Sequence, residues 1–74
     1  MAKYKVYVNG DVDFVTDDQN KFEDTVGHYI DQFYEAGFLM VLRDGDAYNM
    51  HYVFYNYETR AAGSVGYKIE HVCR

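Results

Sequence analysis

The sequence predicts one α+β domain, in which a single antiparallel sheet carries one amphipathic helix on one of its faces. Three observations lead to this fold class. The chain has 74 residues, which is the length of one small domain. Five segments have the β-branched and aromatic composition of strands, and one segment has the apolar periodicity of a helix. Their order is ββαβββ, and no linker or repeat divides the chain, so we expect residues 1–74 to form a single domain.

The first two strands are predicted to form a hairpin around Asn9-Gly10. A two-residue turn at this point would place aspartates on the apolar face of the sheet. A loop that is one residue longer instead pairs Val6 with Phe14 and Val8 with Val12. We therefore predict the longer loop.

The third element is predicted to be a helix. Thr16 and Gln19 have the spacing of a capping box, which indicates that the helix begins near residue 17. Gly37 has the position of the glycine that commonly follows a helix. Gly27 lies inside the helix and either permits close packing or weakens the helix locally. The apolar residues of this segment fall on one side of a helix, namely Phe22, Val26, Tyr29, Ile30 and Phe33.

Three further strands are predicted after the helix. The run FLMVL at residues 38–42 is short and evenly apolar, which favours a strand in the middle of the sheet. A turn is predicted at Asp44-Gly45-Asp46. The next strand, residues 48–57, is apolar on both sides, and a loop at residues 61–64 is predicted to separate it from the last strand.

One helix covers one face of a sheet, so the other face should be open. The chain contains nine tyrosines, and tyrosine suits both a small core and an interface. We expect Tyr7, with several tyrosines of the later strands, on the open face. Tyr7, Tyr55 and Tyr57 are therefore candidate contacts for a partner.

The charge of the chain limits the kind of partner. There are 12 Asp and Glu residues against 7 Lys and Arg, and the formal net charge is -5. Direct binding to a nucleic-acid backbone is disfavoured, because it depends on many cationic contacts to phosphate. A protein partner with a basic surface is favoured instead. No run approaches the ~20 apolar residues of a membrane span, and the single cysteine, Cys73, suits a reducing compartment. We therefore expect a cytoplasmic protein that does not contact a membrane.

Acidic residues follow the polar side of the predicted helix. This acidic ridge consists of Asp17, Lys21, Asp24, His28, Asp31 and Glu35, flanked by Asp18 and Glu23. Such a ridge could imitate the phosphates of a nucleic acid and occupy a basic groove. A solubilising face explains the same pattern. We take Asp17, Asp24, Asp31 and Glu35 as candidate partner contacts and leave both interpretations open.

The residues that could carry chemistry lack the spacing that chemistry requires. His51, His71 and Cys73 could converge, but none of the paired spacings of a structural zinc site is present. Asp24, His28 and Asp31 share one side of the helix, where a solvated face is the simpler interpretation. No phosphate loop or nucleophile motif is visible. We therefore expect no catalytic activity, no metal and no cofactor.

In format, as a very short, acidic, tyrosine-rich chain without a motif, the sequence resembles the small phage-encoded inhibitors of the anti-CRISPR and anti-restriction kind. The resemblance rests on format alone, so it assigns no role to any residue. It implies a cytoplasmic protein that blocks a nucleic-acid enzyme of the host by stoichiometric binding. The alternative is an assembly module that homodimerises through its tyrosine-rich sheet face.

Overall fold

The computed structural model describes residues 2–71 and contains one five-stranded antiparallel sheet with one helix. The elements are β1 (Ala2–Val8), β2 (Asp11–Thr16), α1 (Gln19–Glu35), β3 (Leu39–Asp46), β4 (Asn49–Asn56) and β5 (Ala61–His71). The spatial order of the strands is β2-β1-β5-β4-β3, and every neighbouring pair is antiparallel. The predicted α+β class and the order ββαβββ are confirmed.

The turn between β1 and β2 has two residues, so the prediction of a longer loop is wrong. Asn9 and Gly10 have φ values of 53° and 89°, the left-handed conformations that a type I′ hairpin turn requires. The turn pairs Val8 directly with Asp11. The backbone twist of this two-residue turn matches the right-handed twist of the flanking strands. A longer loop is therefore not required.

A β-bulge in the same hairpin restores the apolar face. Val6 pairs with Phe14, as predicted, but Tyr7 pairs with Val12, and Asp13 is the additional residue between them. One extra residue in a strand shifts the alternation of its side chains. The prediction that Val12 and Phe14 share a face is therefore wrong, and Val12 is 52% exposed.

The N-terminus of α1 is capped by Asp18 and not by the predicted Thr16. The Asp18 carboxylate accepts hydrogen bonds from the backbone N–H groups of Asn20 and Lys21, at 2.9 and 3.1 Å. The Thr16 hydroxyl accepts from the backbone N–H of Asp18 at 3.1 Å, one step before the helix. The helix therefore begins at Gln19.

The C-terminus of α1 follows the prediction. Gly37 has a φ of 90°, and its N–H donates to the carbonyl of Tyr34. The N–H of Phe38 donates to the carbonyl of Phe33 at 2.9 Å, and the two phenyl rings make an edge contact at 5.1 Å. These two hydrogen bonds and the apolar contact define a Schellman motif.

Two phenylalanines attach α1 to the sheet. Phe22 is buried between Tyr4, at a ring distance of 4.7 Å, and Tyr67, at 5.1 Å. Phe33 stacks on Phe54 at 4.8 Å with the rings 2° from parallel. The buried apolar core consists of Val6, Phe22, Met50, Phe54 and Val65. Of the apolar residues predicted on one side of the helix, Phe22 is buried, and the others, Val26, Tyr29, Ile30 and Phe33, are half-buried.

The segment predicted as a central strand is an edge strand, because β3 pairs with β4 alone in the order of the sheet. Leu39, Val41 and Leu42 are 55%, 47% and 52% exposed, and Met40 alone of this group turns toward Phe54 on the helix side. Even apolarity normally indicates burial on both faces. In β3 it instead produces an exposed apolar edge.

The last strand begins earlier than predicted and occupies the centre of the sheet. Residues 61–64 belong to β5, and the connecting turn lies at residues 57–60. The buried Asn56 organises this turn: its side-chain oxygen accepts from the backbone N–H groups of Glu58 and Thr59, and its amide donates to the carbonyl of Ala36. The turn after β3 also differs, since it lies at residues 47–48 and is closed by the Asp46 carboxylate.

Candidate protein interface

The acidic ridge follows the exposed side of α1 from Lys21 to Glu35, whereas Asp17 and the capping residue Asp18 precede the helix and do not belong to it. Every ridge residue and both flanking acids are exposed. The 17 residues of α1 span about 25 Å at 1.5 Å per residue. The ridge is therefore a continuous charged surface on the side of the molecule that faces away from the sheet.

The carboxylates of the ridge have no cationic partner at close range. Within residues 2–71, the one ion pair joins Lys5 Nζ to Glu70 Oε1 at 2.6 Å, on the sheet and not on the helix. Asp18 is engaged in capping the helix. The other ridge carboxylates remain available to an external cation.

The candidate tyrosines lie elsewhere. Tyr7 and Tyr55 point to the face of the sheet opposite α1, which we call the open face, because their neighbours Val6 and Phe54 are buried on the helix side. Tyr57 lies in the turn after β4, is 66% exposed, and makes an edge contact with the Tyr55 ring at 4.8 Å. The predicted partner contacts therefore form two sets, with the sheet between them. One flat interface cannot contain both sets.

A second exposed surface was missed by sequence reasoning. Leu39 pairs with Tyr55, and Leu42 pairs with Val53, so these side chains share the open face at the β3 edge. We call this surface the edge patch, and it consists of Leu39, Leu42, Val53, Tyr55 and Tyr57. Contiguous exposed apolar side chains of this kind are typical of interaction surfaces. The FLMVL run is the signal for this surface in the sequence, but an evenly apolar run equally indicates a strand in the middle of the sheet.

The open face also carries a group of lysines. Lys3 pairs with Glu70, and Lys5 pairs with Lys68, so all four side chains lie on the open face. The hydrogen bond from Lys5, followed by the attraction of its charge and those of Lys68 and Lys3, lowers the pKa of Glu70 below its ordinary value. The same contact raises the pKa of Lys5. The charge of the open face at β1 and β5 therefore differs in sign from that of the acidic ridge.

The histidines do not converge. His51 lies on the open face, opposite Gly66, whereas His71 shares the helix side with Val65 and Tyr67. Cys73 lies outside the described residues. His28 is exposed and its Nε2 lies 3.1 Å from the Gln32 amide nitrogen. Within residues 2–71, no group of three His, Cys, Asp or Glu side chains has an arrangement that could hold a metal ion.

One tyrosine links the helix to the bulge in β2. The Tyr29 hydroxyl donates a hydrogen bond to the Asp13 carboxylate, and this bond raises the pKa of Tyr29, with a smaller contribution from burial. Asp13 is the extra residue of the bulge, so its side chain is positioned by the irregularity of the strand. The contact fixes the second half of α1 over the first hairpin.

Comparison with protein-family models, with curated proteins and with solved structures gives no match. Among residues 2–71, α1 is the single helix, and it has neither the length nor the apolarity to cross a bilayer.

Proposed function

We propose that this chain is a non-enzymatic protein-binding module whose acidic ridge docks onto a basic, nucleic-acid-binding surface of a partner protein and blocks it. The observation that supports this function is the row of exposed carboxylates along α1, none of which forms an ion pair within residues 2–71. Unpaired acids aligned on a rigid helix are preorganised for a basic groove, since little ordering is required when they bind.

The overall charge supports the same function. With a net charge of -5, the protein attracts a basic partner from a distance and accelerates its association. An inhibitor that acts by occupancy needs no pocket and no catalytic group. It requires only a surface that competes with phosphate.

A charge-reversal experiment tests the ridge. The chain is immobilised, nuclease-treated bacterial lysate is passed over it, and retained proteins are identified and purified. Changing Asp24→Lys, Asp31→Lys and Glu35→Lys together should lower the association rate of such a partner by about tenfold or more, because steering of this kind is worth about 10- to 1,000-fold. The rate for the unchanged chain should fall as the ionic strength rises, since screening shortens the range of exposed charges.

A charge-matched variant is the control. Asp11→Lys, Asp44→Lys and Glu58→Lys change the net charge by the same amount at exposed positions outside the ridge. This variant should retain more of the rate than the ridge variant. Equal rates for the two variants, or a partner that still binds its nucleic acid when saturated with the chain, would contradict the proposal.

The edge patch favours a second candidate function, which is homodimerisation through the open face. Three of its side chains, Leu39, Leu42 and Tyr57, are more than half exposed in the single chain. Covering them with a second copy would remove apolar surface from water. A dimer mass for the free protein in solution supports this function, and a monomer mass at high protein concentration contradicts it.

A further inference from the structure

A cleft opens on the open face where β1, β5 and β4 run side by side. Its volume is about 230 Å³. That is below the roughly 300–1,000 Å³ of sites for drug-sized ligands, and it suits a single ring system. The lining of the cleft includes Tyr7, His51, Ser64, Gly66 and Lys68. None of them belongs to the acidic ridge or to the edge patch.

Two aromatic side chains form the walls of the cleft. Tyr7 on β1 and His51 on β4 both pair with Gly66 on the strand between them. Neighbouring strands are about 4.8 Å apart, so the two Cα atoms are separated by about 9.6 Å. A planar ring in contact with both walls needs about 7 to 8 Å, which is twice the contact distance of carbon atoms. The backbone spacing therefore leaves room for at most one ring between the two side chains, and the His51 imidazole lies close to Gly66, with Nδ1 3.6 Å from the position of a Cβ there.

The floor of the cleft is flat because position 66 is glycine. Gly66 is buried, and a Cβ atom there would lie 3.1 Å from the Met50 carbonyl oxygen and 3.6 Å from His51 Nδ1. Any larger side chain would enter the space between the two rings. Ser64, two residues earlier on the same strand, adds a hydroxyl at one end.

A cation lies at the other end. Lys68 is two residues beyond Gly66, or about 6.7 Å along the strand, and its side chain is exposed. The nearby carboxylate of Glu70 is paired with Lys5 at 2.6 Å. Lys68 therefore remains available to an anionic group attached to the ring.

We propose that this cleft binds a planar aromatic ring that carries an anionic group, the chemistry of a nucleoside monophosphate. The ring stacks between Tyr7 and His51 over Gly66, and the phosphate contacts Lys68. Stacking on aromatic side chains is the general means by which proteins hold unpaired bases. The net charge of -5 opposes binding of many phosphates, but a single phosphate needs one local cation.

Nuclear magnetic resonance of the full chain tests the proposal. Adenosine monophosphate is titrated, and the backbone amide signals of Ser64, Gly66 and Lys68 should shift with a saturable dependence on its concentration. Adenosine alone should shift the same signals, but its affinity should be at least about tenfold lower than that of adenosine monophosphate. Inorganic phosphate alone should leave these signals unmoved. A short thymidine oligonucleotide distinguishes the source: tighter binding than the monophosphate, at the same amides, identifies the ligand as a unit of a single strand, and weaker binding identifies it as a free nucleotide.

Variants separate the walls from the rest of the open face. Tyr7→Leu and Lys68→Gln should each weaken binding by about tenfold or more. Tyr55→Leu changes a tyrosine of the open face outside the cleft and should leave the affinity unchanged. Each variant must retain the dispersed amide spectrum of the folded chain, and His51→Ala replaces any variant that does not. An absence of saturable shifts up to millimolar monophosphate, shifts reproduced by phosphate alone, or binding that survives Tyr7→Leu would overturn the proposal.

Discussion

Gly27 is the residue whose role the structure resolves most directly. A Cβ atom at this position would have no heavy atom within 4 Å, and the residue is exposed near the middle of α1. Close packing therefore does not require a glycine there. The glycine therefore only lowers the stability of the helix, because glycine loses more backbone freedom than alanine when a helix forms.

Gly27→Ala should raise the free energy of unfolding by about 1 kcal/mol. The reason is the lower entropy of the unfolded chain combined with the empty space around position 27. Urea denaturation followed by circular dichroism measures the change. Gly45→Ala is the contrasting control and should destabilise the protein, since φ is 126° and a Cβ would lie 2.1 Å from the Asn49 carbonyl oxygen. A loss of stability in the Gly27 variant would contradict the helix register described here.

At the scale of elements, the contact between α1 and the sheet depends on complementary shapes. A Cβ on Gly63 would lie 2.4 Å from the Phe33 ring, so the missing side chain on β5 makes the space that this ring fills. Phe33 also stacks on Phe54, which is fully buried on β4. The ring therefore lies over both β5 and β4.

Phe33→Ala should lower the free energy of unfolding by about 3 kcal/mol, at the lower end for phenylalanine because the ring is half-buried. Such a loss is a large part of the stability of a small domain. Thermal unfolding measures it. Tyr34→Ala is the matched control on the same helix, and its smaller expected loss follows from a side chain that is 46% exposed. Equal losses for the two variants would show that α1 does not use Phe33 as its anchor.

The helix and its C-terminus were predicted well, because local chemistry defines them. The periodicity of α1 and the glycine after it involve residues within one or two helical turns, and both predictions are confirmed. The first hairpin was harder, because its two-residue turn and its bulge shift the strand register in compensating ways. The apolar pattern therefore predicts the pairing of Val6 with Phe14 correctly, but it indicates neither the two-residue turn nor the bulge.

The position of β3 could not be read from its own residues. An evenly apolar strand fits both a central place and an exposed edge, and the choice depends on where β5 inserts. The same non-local information defines the edge patch and the cleft, because both require the register between strands that are distant in sequence. The residues of the acidic ridge are exposed, as the helical pattern predicted, but Asp17 precedes the helix because Asp18 caps it.

At the scale of the whole molecule, the protein is elongated, with extents of 49 × 20 × 17 Å. Its radius of gyration is 12.9 Å, against about 11 Å expected for a compact chain of this length. The helix packs mainly over β1, β5 and β2. The helix therefore gives β3 little cover on its own side of the sheet, and the edge patch lies on the opposite face, where no layer covers it.

Changing Tyr55→Ser and Tyr57→Ser together should abolish any dimer that forms through the open face and leave the fold intact. Aromatic anchors at an interface commonly contribute about 2 kcal/mol or more. Tyr57 is exposed, and Tyr55 is half-buried on the open face and does not belong to the buried core, so the fold should survive both changes. Sedimentation analysis measures the mass, and circular dichroism verifies the fold. Tyr48→Ser is the control, because Tyr48 is 56% exposed and contacts His71 on the other side of the sheet. A double variant that unfolds, or that keeps a dimer mass, would exclude these two residues as the interface.

The central position of β5 also determines when the protein can fold during its synthesis. The hairpins β1–β2 and β3–β4 lie on either side of β5 and have no strand pairing with each other. Both hairpins pair with β5, so neither can join the complete sheet before residues 61–71 are present. In sequence, β1 and β5 are separated by most of the chain. Pairings between such distant segments form slowly, because a long loop must close before any contact is gained. We therefore expect the two hairpins and the helix to emerge from the ribosome before they are joined, and the sheet to close only after β5 has left the exit tunnel.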